Sequence, residues 1–133
     1  MAILPNNEAM IREITQEPEL FRHVLENRAH YTKGFVELFR KKSVKRIYLV
    51  GSGSPSHLSE TLRCAAISML GVEASAPLPS IFLNHDSFNA SGVYRPEEML
   101  LICPVESGRT KGPILAAQKA RELKISVVCT TLD

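Results

Sequence analysis

Charge of one sign is scarce in this chain: 16 Lys and Arg against 14 Asp and Glu leave a formal +2 over 133 residues. An excess that small, spread along the whole length, gives no electrostatic footprint for a nucleic acid, so none is expected as a partner. The one dense basic run, Arg40-Lys41-Lys42 with Lys45-Arg46, closes a helical pattern, where cations favour the negative end of the helix dipole. Long apolar runs are missing too. Nothing reaches the roughly 20 residues that a bilayer span requires, and no signal peptide opens the chain, so a cytoplasmic protein without a membrane partner is the expectation. Cysteine is sparse: Cys64, Cys103 and Cys129 are odd in number, widely spaced and set in apolar contexts such as "LICPV" and "SVVCTT". This spacing argues against a disulfide framework or a metal site and for buried, reduced core thiols. No internal repeat or low-complexity tract occurs.

What is present is the composition of a soluble globular domain, 44% hydrophobic and 23% charged. The first forty residues read as helix. "NEAMIREITQ" carries Ala9, Met10 and Ile14 with charges between, and Pro18 stands where a first helical turn tolerates it, so a second helix is expected from there. That helix places Leu20, Phe21, Val24, Leu25, Ala29, Phe35, Val36, Leu38 and Phe39 at spacings of three and four, interrupted at Gly34.

From Val44 the period changes. "VKRIYLV" is a strand stopped by "GSGSPS"; "SHLSETLRCAAISMLG" is a helix ending on Gly71, the usual left-handed cap. "VEASAP" and "EEMLLICPV" are further strands, "GPILAAQKARELK" a helix and "ISVVCTT" a fourth strand. Between Pro77 and Pro96 the pattern supports one short helix around "SIFLNH" and a loop. This βαβ rhythm requires a Rossmann-like parallel sheet with flanking helices, an α/β fold preceded by an N-terminal helical pair. The expected division is a helical lead-in over 1–43 and an α/β domain over 44–133. With four short strands and no closing helix, the domain reads as unfinished or as one that pairs with another.

In such sheets ligands sit at the carboxyl ends of the strands. Two loops lie there: Gly51-Ser52-Gly53-Ser54-Pro55-Ser56 and Glu106-Ser107-Gly108-Arg109-Thr110. Glycine admits close backbone approach, hydroxyls donate without charge, and a following helix aims its N–H groups at the same place, which suits a phosphate. G-x-x-x-x-G-K-[ST] is absent, and position 56 is Ser where G-x-G-x-x-G needs its third glycine, which disfavours a nucleoside triphosphate or dinucleotide cofactor. A turn plus a helix cap is the plainer reading of either loop taken alone.

The stretches "RIYLVGSGSPSHLSETLRCAAISMLGVEASAPLPS" and "MLLICPVESGRTKGPILAAQKARELKISVVCTT" resemble the SIS (sugar isomerase) domain of glucosamine-6-phosphate synthase, of fructosamine-phosphate deglycases and of phosphosugar-binding regulators. The family's strand followed by S-x-S-G-x-T corresponds here to Val105-Glu106-Ser107-Gly108-Arg109-Thr110, and the N-terminal helical pair resembles the lead-in of the synthase and deglycase branch. The resemblance implies a site for the phosphate of a sugar built from Ser107, Gly108 and Thr110, with Arg109 and Lys111 flanking and Gly51, Ser52, Gly53, Ser54 and Ser56 adding amides and a hydroxyl. Two departures stand out: Val105 replaces the motif's first serine, and Pro55 falls where the first loop usually ends in serine.

In that branch two SIS units follow one another, and most proton-transfer groups belong to segments beyond Asp133. The chain is therefore expected to be the first half of an isomerase or deglycase, inactive alone and pairing with a second SIS unit or with itself. Within it, Glu106 and His85, with Asp86 and His57 near, are weak candidates for acid–base work; no catalytic residue, metal or cofactor is assigned. The alternatives are a sugar-phosphate sensor acting through a partner, and a degenerate module serving association.

Overall fold

The computed structural model describes residues 5–130. Thr131, expected to close the last strand, and the terminus at Asp133 lie outside the described residues. Two compact units divide at Leu38 and Phe39.

In the first unit α1 (Pro5–Glu26) is followed after Asn27 by α2 (Arg28–Lys41), whose last three residues belong to the second unit. The helical pair is present, but its break is at Asn27 and not at Pro18, which lies inside α1. A proline removes one helical hydrogen bond, here to the carbonyl of Ile14, a residue on an exposed face that solvent reaches. At Asn27 the side-chain Nδ2 and the backbone N–H both donate to the His23 carbonyl, at 2.9 and 3.0 Å. That competition between side chain and backbone favours a break. Met10, Ile11, Ile14, Leu20, Phe21, Val24 and Leu25 are all exposed.

The second unit is built on β1 (Arg46–Leu49), β2 (Glu73–Ser75), β3 (Met99–Pro104) and β4 (Ser126–Thr130), all parallel in the order β2-β1-β3-β4. Helix α3 (Ser54–Ala65) runs on through a π-helical turn, Ala66–Leu70, to Gly71 in the left-handed conformation at φ 64°. It packs on β1, β2 and β3. The short α4 (Pro79–Ile81) continues into a second π-helical turn, Phe82–Asp86; α5 is Lys111–Glu122.

Alternation along the strands sends Tyr48, Val50, Met99, Leu101 and Cys103 to one face. There they bury against Phe82, Phe88, Ala116, Ala120 and Ile125. Ile47, Leu49 and Leu100 bury on the other face. The loop after Phe82–Asp86 is fixed by its own polar contacts: the Asn89 N–H donates to Tyr48 Oη at 2.8 Å, and the Asn89 side chain exchanges two bonds with the Tyr94 backbone. The rings of Phe82 and Phe88 meet edge to face at 4.7 Å.

The basic run does end α2, and it also ties down the amino edge of the sheet. Lys42 Nζ donates to Ser126 Oγ at 2.6 Å, and Lys45 pairs at 2.7 Å with Glu98, a buried carboxylate. Arg46 lies over the Tyr48 ring and donates to Ser75 Oγ. The cysteine expectation holds only for Cys103. Cys64 and Cys129 are exposed, because the first sits on the outer side of α3 and the second near the end of β4, an edge strand.

Candidate functional site

The chain leaves β1 through α3 toward β2 on one side of the sheet, and leaves β3 through α5 toward β4 on the other. β1 and β3 are neighbours, paired from Arg46↔Met99 to Leu49↔Ile102. The connections therefore diverge between them, and a crevice opens at their carboxyl ends, where a doubly wound sheet binds its ligands.

Both loops of interest start at this crevice. Gly51 makes it possible for α3 to begin so close to the strand: a Cβ there would lie 2.4 Å from the Pro55 carbonyl oxygen and 2.9 Å from Ser59 Oγ. Ser59 is itself buried and donates to the same Pro55 oxygen at 2.9 Å. Gly53, at φ 69°, caps α3 without a side-chain bond. The first turn of α3 offers few donors. Pro55 has no N–H, and both the amide and the hydroxyl of Ser56 donate to the Gly53 carbonyl, at 2.9 and 2.7 Å. Ser52 and Ser54 are exposed.

The second loop is better furnished. Ser107 Oγ accepts the Arg109 N–H at 3.3 Å, a bond that does not use the hydroxyl's own proton. Gly108 turns the chain at φ 65°. Thr110 caps α5 without a side-chain bond to the helix, so its hydroxyl is not committed to capping. The first amides of an α-helix have no partner within it; in α5 these belong to Lys111 and Gly112 before Pro113 interrupts the row. Gly112 is required by packing, since a Cβ would meet the Pro79 ring at 2.5 Å. Ser107, Arg109, Thr110 and Lys111 are all exposed.

Two clefts flank the loops. One of about 420 Å³ is lined by Ser54, Pro55, Leu58, Pro104, Val105, Glu106 and Thr130. The other, about 350 Å³, brings Ser52 together with Lys111 and Gly112 of α5 and with Pro79 and Ser80 of α4. The structure thus places Ser54 beside Glu106, and Ser52 beside the start of α5, on different sides of the crevice. Gly108 borders a third cavity behind α5. His85 is exposed on the Phe82–Asp86 turn and lines neither flanking cleft; Asp86 faces a separate pocket with Arg46, Glu73 and Tyr94. His57 is exposed on α3, one turn beyond Gly53. Ser80 is the residue that sequence reasoning passes over. Its position just after β2, at the same sheet edge, is the signal that could have found it. Among the described residues no group of three His, Cys, Asp or Glu could hold a metal ion, and no helix is long and apolar enough to cross a membrane.

No family model and no curated protein matches the chain. Solved structures do. A candidate phosphosugar isomerase from Silicibacter pomeroyi superposes at a TM-score of 0.69 with 24% identity over 92% of this chain and 36% of its own. A candidate tagatose-6-phosphate ketose/aldose isomerase from Clostridium novyi gives 0.70 with 23% identity over 92% of this chain and 32% of its own. The tagatose-6-phosphate ketose/aldose isomerase of Escherichia coli gives 0.59 with 20% identity over 83% and 29%. The chain shares the α/β fold of these proteins and spans about a third of their length.

Proposed function

We propose that the crevice between β1 and β3 binds the phosphate of a phosphorylated sugar, and that the chain is the N-terminal SIS unit of a phosphosugar isomerase or deglycase. The observation that carries this reading is the start of α5. Ser107 and Thr110 hydroxyls, the first amides of the helix, Arg109 and Lys111 all belong to residues 107–112, at the switch point of a sheet whose fold is that of phosphosugar isomerases. Helix N-termini and hydroxyls suit a phosphate dianion, and Arg supplies charge-assisted bonds to it. Ser52 reaches the same cleft as Lys111, so the first loop contributes from the opposite wall.

Aldose–ketose isomerisation moves a proton between adjacent carbons and needs a base within hydrogen-bond reach of the sugar. Glu106 borders the cleft with Ser54 and is the carboxylate of this chain nearest that task. The loop residues are open to solvent, whereas such chemistry works in a water-poor site; the isolated unit, 44–133 with its helical lead-in, therefore binds without turnover and reacts only when paired with a second SIS unit. A sensor that binds a sugar phosphate and acts through a partner is the second reading. Pro55 favours it, because it takes a donor from the α3 wall that a full catalytic cradle would use.

Calorimetric titration with fructose 6-phosphate, glucosamine 6-phosphate, fructose and inorganic phosphate tests the proposal. Hydrogen bonds to a charged group contribute about 1.5–3 kcal/mol each. The Ser107→Ala, Thr110→Ala double variant is thus expected to bind the phosphosugars about a hundred-fold more weakly, or worse. Equal binding of fructose and fructose 6-phosphate, or phosphosugar binding indifferent to the double substitution, refutes the site. Binding without turnover that is sustained after pairing with a second SIS unit would favour the sensor.

A further inference from the structure

Cys103 of β3 and Cys129 of β4 are direct partners in the parallel ladder. Strand alternation sends both thiols to the same face, the one covered by α5. Neighbouring strands run about 4.8 Å apart, within the roughly 4.4–6.8 Å between Cα atoms that a disulfide bridges. Both cysteines line one cavity behind α5. Cys103 is buried and its S–H donates to the Pro113 carbonyl at 3.8 Å, whereas Cys129 is exposed. The cavity, of about 280 Å³ and lined also by Val105, Gly108, Pro113 and Arg121 among others, gives a small thiol reagent room to approach.

We propose that Cys103 and Cys129 form a redox-active dithiol that a low-molecular-weight disulfide of the glutathione type closes into an intrachain disulfide, loosening the first turn of α5. The exposed Cys129, as thiolate, attacks one sulfur of glutathione disulfide and expels a glutathione thiolate. Cys103 then loses its proton, attacks Cys129 Sγ and expels the second glutathione. The two protein thiols give up two protons and two electrons; glutathione disulfide takes them and leaves as two molecules of glutathione. Burial pushes the Cys103 thiol up to about 12, so the exposed partner reacts first. A bond across adjacent strands at a sheet edge belongs to the exposed, labile class that reductants reopen.

The consequence runs through Pro113. Closing the disulfide consumes the S–H that its carbonyl accepts, and Pro113 immediately follows Lys111 and Gly112, whose amides face the proposed phosphate. This consequence for ligand rests on the phosphosugar reading; the disulfide and the loosening do not.

The test is incubation of the full chain with glutathione disulfide, alkylation, and peptide mass mapping without any sugar present. The expected product carries a Cys103–Cys129 link, lighter by about 2 Da, with Cys64 alkylated or singly glutathionylated, and dithiothreitol reverses it. Cys64→Ser retains the link and Cys129→Ser abolishes it. Amide exchange over 114–117, whose N–H groups bond to the carbonyls of the first turn, is faster in the linked form. Glutathione persisting on Cys129 without a link, modification of Cys64 alone, or a link through Cys64 overturns the dithiol; unchanged exchange over 114–117 in the linked form overturns the loosening. Because no reading depends on sugar, these failures are distinct from a failure of phosphosugar binding.

Discussion

Substituting Gly51 by Ala tests the claim that the first loop is held rigidly against its own helix. The added methyl would stand 2.4 Å from the Pro55 oxygen, 2.6 Å from the Pro55 carbonyl carbon and 2.9 Å from Ser59 Oγ. Two of these atoms are backbone, so no rotamer change relieves the contact. Nor can Ser59 give way freely, being buried and bonded to Pro55 at 2.9 Å. The first turn of α3 must move outward by several tenths of an ångström or more, away from a strand whose core residues Ile47 and Leu49 are buried on that face. Over-packing of this kind costs about 1–3 kcal/mol. In a unit of this size each kcal/mol lowers the melting temperature by about 4–8 °C. The expected fall is therefore about 4–24 °C, seen in thermal melts and as a lower urea midpoint at unchanged slope. If the proposed phosphosugar site holds, affinity falls with it, because Ser52 is displaced from the cleft it shares with Lys111. A Gly51→Ala chain with the wild-type midpoint would refute the rigid approach, and with it the argument that glycine is needed here for close packing.

Gly34, by contrast, lies within α2 with nothing within 4 Å of a built Cβ; Gly34→Ala is expected to stabilise that helix by about 0.5–1 kcal/mol, read as higher helicity at 222 nm on warming. Phe82→Ala removes a ring only 1% exposed that packs on Phe88 and Tyr48; it should cost about 3–5 kcal/mol in urea unfolding. The pH dependence has a definite sign. Hydrogen bonding from Lys45, then from the Arg95 backbone and side chain, lowers the Glu98 carboxyl from 4.5 to about 2. A depressed folded value means stability present in full above about 4.5 and lost as pH falls toward 2. Glu98→Gln is expected to flatten the stability curve across that window, and an unchanged curve would count against the assignment.

The α/β part of the fold was legible because its signals are redundant. The run "MLLICPV" lacks alternation for the reason the structure displays: Leu100 and Leu101 of β3 are buried on opposite faces. Gly71 ends the helical stretch as expected, at φ 64°. Pro18 misled because a proline signal says that a hydrogen bond is lost, not whether the helix tolerates the loss; in an exposed helix it does. Cys64 and Cys129 misled for a related reason. An apolar sequence neighbourhood implies a buried strand or helix, but it does not tell which side of the helix a residue takes or that β4 is an edge. Of the site, the two loops could be read from strand-then-glycine patterns. Which hydroxyl enters which cleft could not, since that depends on contacts across the sheet edge, such as Ser52 with Lys111 and Ser80.

Those contacts make the two walls of the crevice unequal. The α3 wall begins with Gly53, Ser54 and Pro55, and its next donor group, Ser56, turns both its amide and its hydroxyl back onto Gly53. Such a turn is well satisfied internally and has little left to give an anion. The α5 wall leaves its first amides unpaired within the helix and carries the Ser107 and Thr110 hydroxyls in a segment that also holds Arg109 and Lys111. On the proposed reading, a phosphate in the crevice would gain most of its bonds from α5, while the closely packed α3 wall shapes the space beside it. That asymmetry would, on the same reading, let the site tolerate Pro55 and Val105: one lies on the wall that contributes least, and the other lines the cleft before the loop begins to donate.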